Sequence, residues 1–290
     1  MEGFPVDAVA VAAGRTPVAW EAVPTRGYAR SSAHWRATFA DGQSAFVKHA
    51  LTPDAVSWLQ TERSIYEAIR QPFMPKFLGA FDEGDVTLVV LEDLTDAEWP
   101  PPWSRRGIDA VLASLDALRR TTPPQGLGRL EAMRAEIVGW PDIAADSGPL
   151  LATGLCTRSW LEGALPALLQ ASSDAPLDGT ELLHLDVRSD NLCLRDGQAL
   201  FFDWNIACVG NGDFDIAFWL PSLALEGGPS PWDVLPDAGL LAAAVAGFFA
   251  VRAGLPPPVT ASTVREFQRA QAEIALTWTA QELGLEPVTR

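Results

Sequence analysis

The sequence predicts an α+β chain of two lobes, with a five-stranded antiparallel sheet and one helix in the N-terminal lobe and a larger, mostly helical C-terminal lobe. Three observations predict it. The first ninety residues alternate short β-prone runs with turn signals and carry a single helical stretch. A stiff segment, Trp99-Pro100-Pro101-Pro102-Trp103, then interrupts the chain. Beyond it, apolar residues recur at helical spacing over most of the remaining length. With 290 residues, 48% of them hydrophobic, the chain can fill one large core or two smaller ones. The boundary is expected just before the Pro and Trp segment, giving lobes 1–93 and 94–290.

In the first lobe, Val18 to Val23, His34 to Phe39 and Ala45 to Lys48 read as strands, the last two joined by a turn at Asp41-Gly42. A helix follows through Ser57 to Arg70, with Pro53 near its start and Val56, Leu59, Ile65 and Ile69 near helical period. Lys76 to Phe81 and Val86 to Leu91 are the remaining strands, separated by Asp82-Glu83-Gly84-Asp85. In the second lobe, helices are expected at Gly107 to Arg120, Leu130 to Val138 and Thr157 to Gln170. Two short strands, Leu182 to His184 and Ala199 to Asp203, interrupt the helices, and two more helices close the chain at Gly239 to Val251 and Val264 to Leu283. Thr263 with Glu266 reads as a capping box for the last one.

A formal charge of −16 and a pI near 4.5 disfavour a nucleic-acid duplex or an anionic membrane as partner, and suit neutral or cationic ones. The same charge also serves solubility. Cys156, Cys193 and Cys208 are odd in number and lack CxxC spacing, which argues against a disulfide framework and a structural zinc site. Met1 to Val11 has no basic segment leading into an apolar one, and the apolar run Gly239 to Val251 is too short to span a bilayer. A cytoplasmic location is the expectation, as a monomer or homodimer.

The stretch that carries chemistry is His184-Leu-Asp186-Val-Arg188-Ser-Asp-Asn191, followed by Asp203-Trp204-Asn205. It reads as HxDxxxxN with a second aspartate twelve positions on. Phosphoryl transfer needs an oriented hydroxyl and neutralised phosphate charge more than covalent help. Asp186, in the loop after a short strand, is the candidate base. Asn191 and Asp203 offer hard oxygen ligands suited to Mg2+ shared with phosphate oxygens. Arg188 is a candidate for contacting the transferred phosphate, the alternative being a surface salt bridge. His184 is expected to brace the loop rather than move protons.

With these residues the chain resembles the aminoglycoside phosphotransferase and choline kinase-like family, which shares the bilobal protein-kinase fold. The resemblance continues into Gly210-Asn-Gly-Asp213-Phe-Asp215-Ile-Ala217 and implies that Asp215 ties a helix to the catalytic loop. It further implies a lysine on the third strand and a glutamate on the next helix. Lys48 and Glu62 fill those places, with Glu67 the rival partner. The loop Thr25 to Ser32, with Ser31 and Ser32 at its end, is either a phosphate cover or an ordinary hairpin loop. Leu88-Val89-Val90-Leu91 running into Glu92-Asp93-Leu94 resembles a purine-binding hinge, with Val90 and Leu94 flanking the base and Glu92 between them.

The implied activity is transfer of the γ-phosphate of ATP, with GTP as the alternative, to a hydroxyl of a small molecule in the presence of Mg2+. An antibiotic acceptor leads, a sugar or amino alcohol is the alternative, and a silent nucleotide-binding protein is the third reading. No Ala-Pro-Glu segment follows Asp203-Trp204-Asn205, so a protein substrate is not expected. For a polycationic acceptor, Glu226, Asp233, Asp237, Glu266 and Glu273 are available carboxylates. Trp140, Trp160, Trp219, Trp232 and Trp278 could stack on an acceptor ring or pack the core.

Overall fold

A computed structural model describes residues 3–24, 31–258 and 261–290. Its N-terminal part opens with α1 (Val6–Ala13), then β1 (Pro17–Ala22), β2 (Ser32–Phe39), β3 (Ser44–Ala50), α2 (Pro53–Ala68), β4 (Phe77–Glu83) and β5 (Val86–Glu92). The five strands form one antiparallel sheet in the order β1-β2-β3-β5-β4. Strand alternation gives this sheet two working faces. On one, Ala37, Phe39, Ala45, Val47, Leu88 and Val90 pack with Phe4 and Val9 beneath α1. On the other, Val89 and Ala50 pack against Ala55 and Leu59 of α2, and the rest of that face borders a cleft.

The helix α1 was not expected from the sequence. It lies so close to β4 that a Cβ on Gly79, at φ +155°, would fall 1.9 Å from the Ala12 carbonyl oxygen. Helix α2 begins four residues before its expected start because its cap, not its apolar period, sets the boundary. Thr52 accepts the Ala55 N–H through its side chain, and Pro53 occupies the first turn without losing a bond.

The C-terminal part runs α3 (Arg105–Arg119), a 3-10 turn at Leu130–Met133, α4 (Arg134–Val138), α5 (Trp140–Ala145), α6 (Gly148–Ala152) and α7 (Arg158–Ser173). After these come β6 (Glu181–Leu183), β7 (Leu192–Arg195), β8 (Gln198–Phe201) and β9 (Cys208–Gly210). The chain finishes with α8 (Asp213–Leu225), α9 (Pro231–Val234), α10 (Gly239–Ala253) and α11 (Val264–Glu282). Strand β6 pairs with β9, and β7 with β8, so two small antiparallel ribbons are set among helices.

Helix α10 is apolar nearly all round and is correspondingly buried against α4, α7 and α11. Its small residues allow a close approach: a Cβ on Gly247 would lie 1.7 Å from the Val138 carbonyl oxygen. Trp140, Trp219 and Trp278 are fully buried, so they pack the core rather than stack on an acceptor. The capping box expected at Thr263 does not form. Thr263 has φ −99° and ψ −4°, part of a turn in which Val264 already donates to the Ala261 carbonyl, and its hydroxyl makes no cap bond. All three cysteines are buried thiols, and among the described residues no helix is long and apolar enough to cross a membrane.

Candidate active site

A cleft of about 330 Å³ separates the inner face of the five-stranded sheet from the loops that follow β6 and β8. From the sheet come His34 and Arg36 of β2 and Phe46 and Lys48 of β3; from the opposite wall come Arg188, Asn191, Phe202 and Asp203.

The β6–β7 loop is built on a strained turn. Leu185 has φ +65°, a left-handed conformation that a branched side chain adopts at a cost of about 1–2 kcal/mol. Asp215, in the first turn of α8, holds it there: its carboxylate accepts the His184 and Leu185 N–H groups, each at 2.7 Å. Burial pushes the Asp215 carboxyl up to about 7, against those two amide bonds. His184 is wholly buried, which lowers it to about 4 and keeps the ring neutral. Its Nδ1 accepts the Asp186 N–H at 3.3 Å, so Nε2 carries the proton and donates to the Phe202 carbonyl at 3.0 Å. Trp204, itself fully buried, meets the imidazole edge-on at 4.5 Å. His184 therefore links the two loops of the lower wall, the bracing position expected of it.

Asp186 has both carboxylate oxygens engaged. Arg188 donates from Nη1 to Oδ1 at 2.8 Å, and Asn191 donates from Nδ2 to Oδ2 at 2.7 Å. Burial pushes the Asp186 carboxyl up to about 6, with Arg188 opposing. The rest of the Arg188 guanidinium forks onto Asp190, at 2.9 and 3.0 Å. Arg188 thus faces the cleft within an ion-pair network rather than forming an isolated surface bridge.

Across the cleft, Lys48 spans two carboxylates, with Nζ 2.8 Å from Glu62 Oε2 and 2.7 Å from Asp203 Oδ1. The Asp203 N–H also donates to Glu62 Oε1 at 3.1 Å. Burial opposes ionisation of Asp203, but the Lys48 ammonium outweighs it and holds the carboxyl below its ordinary value. Burial likewise disfavours the Lys48 charge, and the two carboxylates more than offset this, raising its pKa. Glu67 is not the partner, since its carboxylate binds Arg63 one turn back at 2.7 Å.

The hinge segment differs from expectation at Val90. Its side chain faces away, into the core beneath α1 with Val47, and Leu91 lines the cleft instead. Pairing explains the parity: Lys48 lies opposite Val89 and Phe46 opposite Leu91, so odd-numbered β5 residues share the cleft face. Glu92 and Leu94 both border the cleft. The Glu92 carboxylate, however, is forked by Arg195 at 2.9 Å twice, and the Leu94 carbonyl accepts Trp99 Nε1 at 3.2 Å. Asp93 is saturated by Arg36, Ser44 and the amide and hydroxyl of Thr95. Ser31 and Ser32 line the upper edge, whereas residues 25–30 of the expected phosphate cover lie outside the described residues.

Sequence reasoning missed Phe46, Phe202, Trp99, His34 and Asn205, all of which line the cleft. Phe46 had a usable signal, being two residues before Lys48 and hence on its face of the strand. Of the acidic residues considered for the acceptor, Glu226 lies beside the β6–β7 loop, accepting from Ser189 Oγ at 2.5 Å and Trp103 Nε1 at 2.8 Å. Glu273 instead pairs with Arg290.

For a divalent cation the donor chemistry fits. Among the described residues there is no cluster of three His, Cys, Asp or Glu side chains, but amide oxygens complete a hard set. Asp203 commits one oxygen to Lys48. Asn191 uses its amide nitrogen toward Asp186, leaving its carbonyl oxygen for a cation. Asn205, two residues after Asp203, has a buried Oδ1 with no partner among the described residues.

No family model and no curated protein matches the chain by sequence. Solved structures do match it along nearly all its length. An amicoumacin kinase in complex with AMP-PNP, Ca2+ and Ami superposes with a TM-score of 0.57 at 12% identity, covering 92% of this chain and 91% of that one. A choline kinase of Cryptosporidium parvum gives 0.57 at 10% identity, covering 93% and 91%. A macrolide 2'-phosphotransferase type I gives 0.50 at 15%, covering 96% and 91%. The chain has the fold of the aminoglycoside phosphotransferase and choline kinase-like group. At these identities the likeness concerns the fold alone. In this kinase-like fold the cleft described above lies between the sheet and the helical part of the chain, with Lys48 of the sheet bonded to Asp203 of the opposite wall.

Proposed function

We propose that the protein is an ATP- and Mg2+-dependent O-phosphotransferase that moves the γ-phosphate to a hydroxyl of a small, antibiotic-like molecule. The observation that carries this is the bridge of Lys48 between Glu62 and Asp203, adjoining the Asp186–Asn191 pair. Residues as far apart in sequence as Lys48 and Asp203 converge on one cleft in the set that phosphoryl transfer requires. The amicoumacin kinase holding AMP-PNP and Ca2+ on the same fold supports a nucleotide and a divalent cation.

In this reading Lys48 binds the α- and β-phosphates and Glu62 orients it. Leu91, Leu94, Phe46 and Phe202, apolar side chains of the cleft lining, would border the base. Asp203, Asn191 and Asn205 would hold a divalent cation, which would supply neutralisation of the phosphate charge. Asp186 accepts the proton of the acceptor hydroxyl while its oxygen bonds the γ-phosphorus and the bond to the β,γ-bridging oxygen breaks. Arg188 meets the charge that develops on the transferred group. The division into lobes 1–93 and 94–290 belongs to the same proposal.

A metabolite kinase is the second reading, favoured by the superposition on choline kinase being as good as that on amicoumacin kinase. The test is a Mg2+-ATP screen over aminoglycosides, macrolides, peptide and nucleoside antibiotics, sugars and amino alcohols. A gain of about 80 Da, one phosphoryl group, on one acceptor and its loss with Asp186→Ala is the expected result. Turnover surviving that substitution would sink the mechanism.

A further inference from the structure

We propose that His34 is a phosphate-binding residue of the cleft, its imidazole hydrogen-bonding the phosphate chain of the nucleotide beside Lys48. This rests on the nucleotide reading above and assigns a residue that reading does not use.

His34 lies directly opposite Lys48 in the β2–β3 register, and residues so paired project from the same face of a sheet with Cβ atoms about 4.5–5.5 Å apart. Both line the cleft. The imidazole packs against Phe46, with ring centroids 5.2 Å apart at 56°, and this fixes it between the aromatic roof and the lysine. Its Nε2 is buried and has no hydrogen-bond partner among the described residues.

A buried ring nitrogen without a partner is uncommon and calls for one. The sheet does not need this imidazole, because β2 pairs through its backbone, where the His34 carbonyl accepts the Val23 N–H. His49 also carries an unpartnered nitrogen, but it lies on the opposite face and does not line this cleft, so location singles out His34. Burial, then the nearby Lys48 charge, lowers His34 to about 4, so the ring is neutral near pH 7 and carries one N–H.

Demand for such a donor is built into the cleft. Lys48 has three N–H bonds and spends two on Glu62 and Asp203, leaving one for a phosphate oxygen. Arg188, which also bonds Asp186 and Asp190, is assigned to the transferred group rather than to the rest of the phosphate chain. A triphosphate entering here would meet more acceptor oxygens than Lys48 alone can satisfy, and His34 is the donor paired with Lys48 across the strands.

The test is calorimetric binding of AMP-PNP and of adenosine, both with Mg2+, to the wild-type protein and to His34→Ala and His34→Gln. We expect His34→Ala to weaken AMP-PNP by about 10-fold or more while adenosine changes by less than about 2-fold. His34→Gln, whose amide can donate from a similar distance, should recover most of the loss. Equal weakening of both ligands would assign His34 to cleft shape, and unchanged AMP-PNP binding would remove it from the site; either result overturns the inference and leaves the nucleotide reading standing. A wild-type protein that binds neither ligand would end both.

Discussion

Asp186 illustrates how one carboxylate carries opposed demands. As the proposed base it must be ionised, yet burial pushes it up to about 6. Turnover should therefore fall with a slope of one as pH drops below about 6 and level off above it, as a pH series of kcat on the identified acceptor would show. The same shift has a consequence for stability, and its sign is opposite to that of a salt-bridged carboxylate. A folded-state value above the unfolded one means the folded chain binds more protons between about pH 4 and 6, so stability declines as pH rises through that window. The charge costs up to ~3 kcal/mol at neutral pH. Asp186→Asn should remove about 10²–10⁴-fold of activity yet raise the melting temperature at pH 7, with the gap closing toward pH 4. A constant gap across that range would refute the burial argument. At this scale the site was largely legible, because Lys48, Glu62, Asp186, Asn191 and Asp203 are ordered along the chain in one pattern. Val90 failed for a definable reason: which parity of β5 faces the cleft depends on cross-strand register with β3, a long-range property that the local run does not encode. His34 and Asn205 were invisible for the same cause, since each matters through its neighbours in space.

Among the elements, α8 bears directly on the β6–β7 loop through Asp215, whose carboxylate accepts both the His184 and Leu185 amides. Asp215→Ala frees two buried amides and releases the left-handed turn at Leu185. The expected cost is about 2–4 kcal/mol in denaturant melts, together with a drop in kcat larger than the change in nucleotide affinity. Nucleotide affinity collapsing in step with kcat would instead point to a general loss of the fold. Helix α10 offers a second test. Gly247→Ala sets a methyl group against the backbone of the α4 end, and we expect it to destabilise by about 3 kcal/mol without altering the spectroscopic helix content of the folded state. Melts indistinguishable from wild type would show that α4 can shift freely. Long periodic elements such as α3, α7, α10 and α11 could be read from sequence because packing repeats along them. The strand β7, four residues long, and the helix α1 could not, since each is defined by what it packs on.

For the molecule as a whole, the −16 charge acts on substrates at a distance. The cleft inherits part of it, since Glu62, Glu92, Asp93, Asp190 and Asp203 line it against Arg36, Lys48 and Arg188. If the acceptor is cationic, kcat/KM should fall as ionic strength rises from about 0.01 to 0.15 M, where the screening length shrinks from about 30 to 8 Å. A neutral acceptor should show little change, so a salt series separates the two classes once turnover is measured. The sheet is tied to the opposite wall of the cleft by the Lys48–Asp203 contact, and that bridge is set by a residue type the chain hardly uses. Its sequence contains two lysines, Lys48 and the exposed Lys76, among 21 basic residues. Acylation of the ε-amines can therefore be resolved to single positions by peptide mass. Lys76 is open to reagent at all times, whereas Lys48 reacts only when it leaves both carboxylates and gives up a proton. The ratio of the two yields is a built-in clock for how often the cleft opens, and a bound nucleotide should slow it at Lys48 alone.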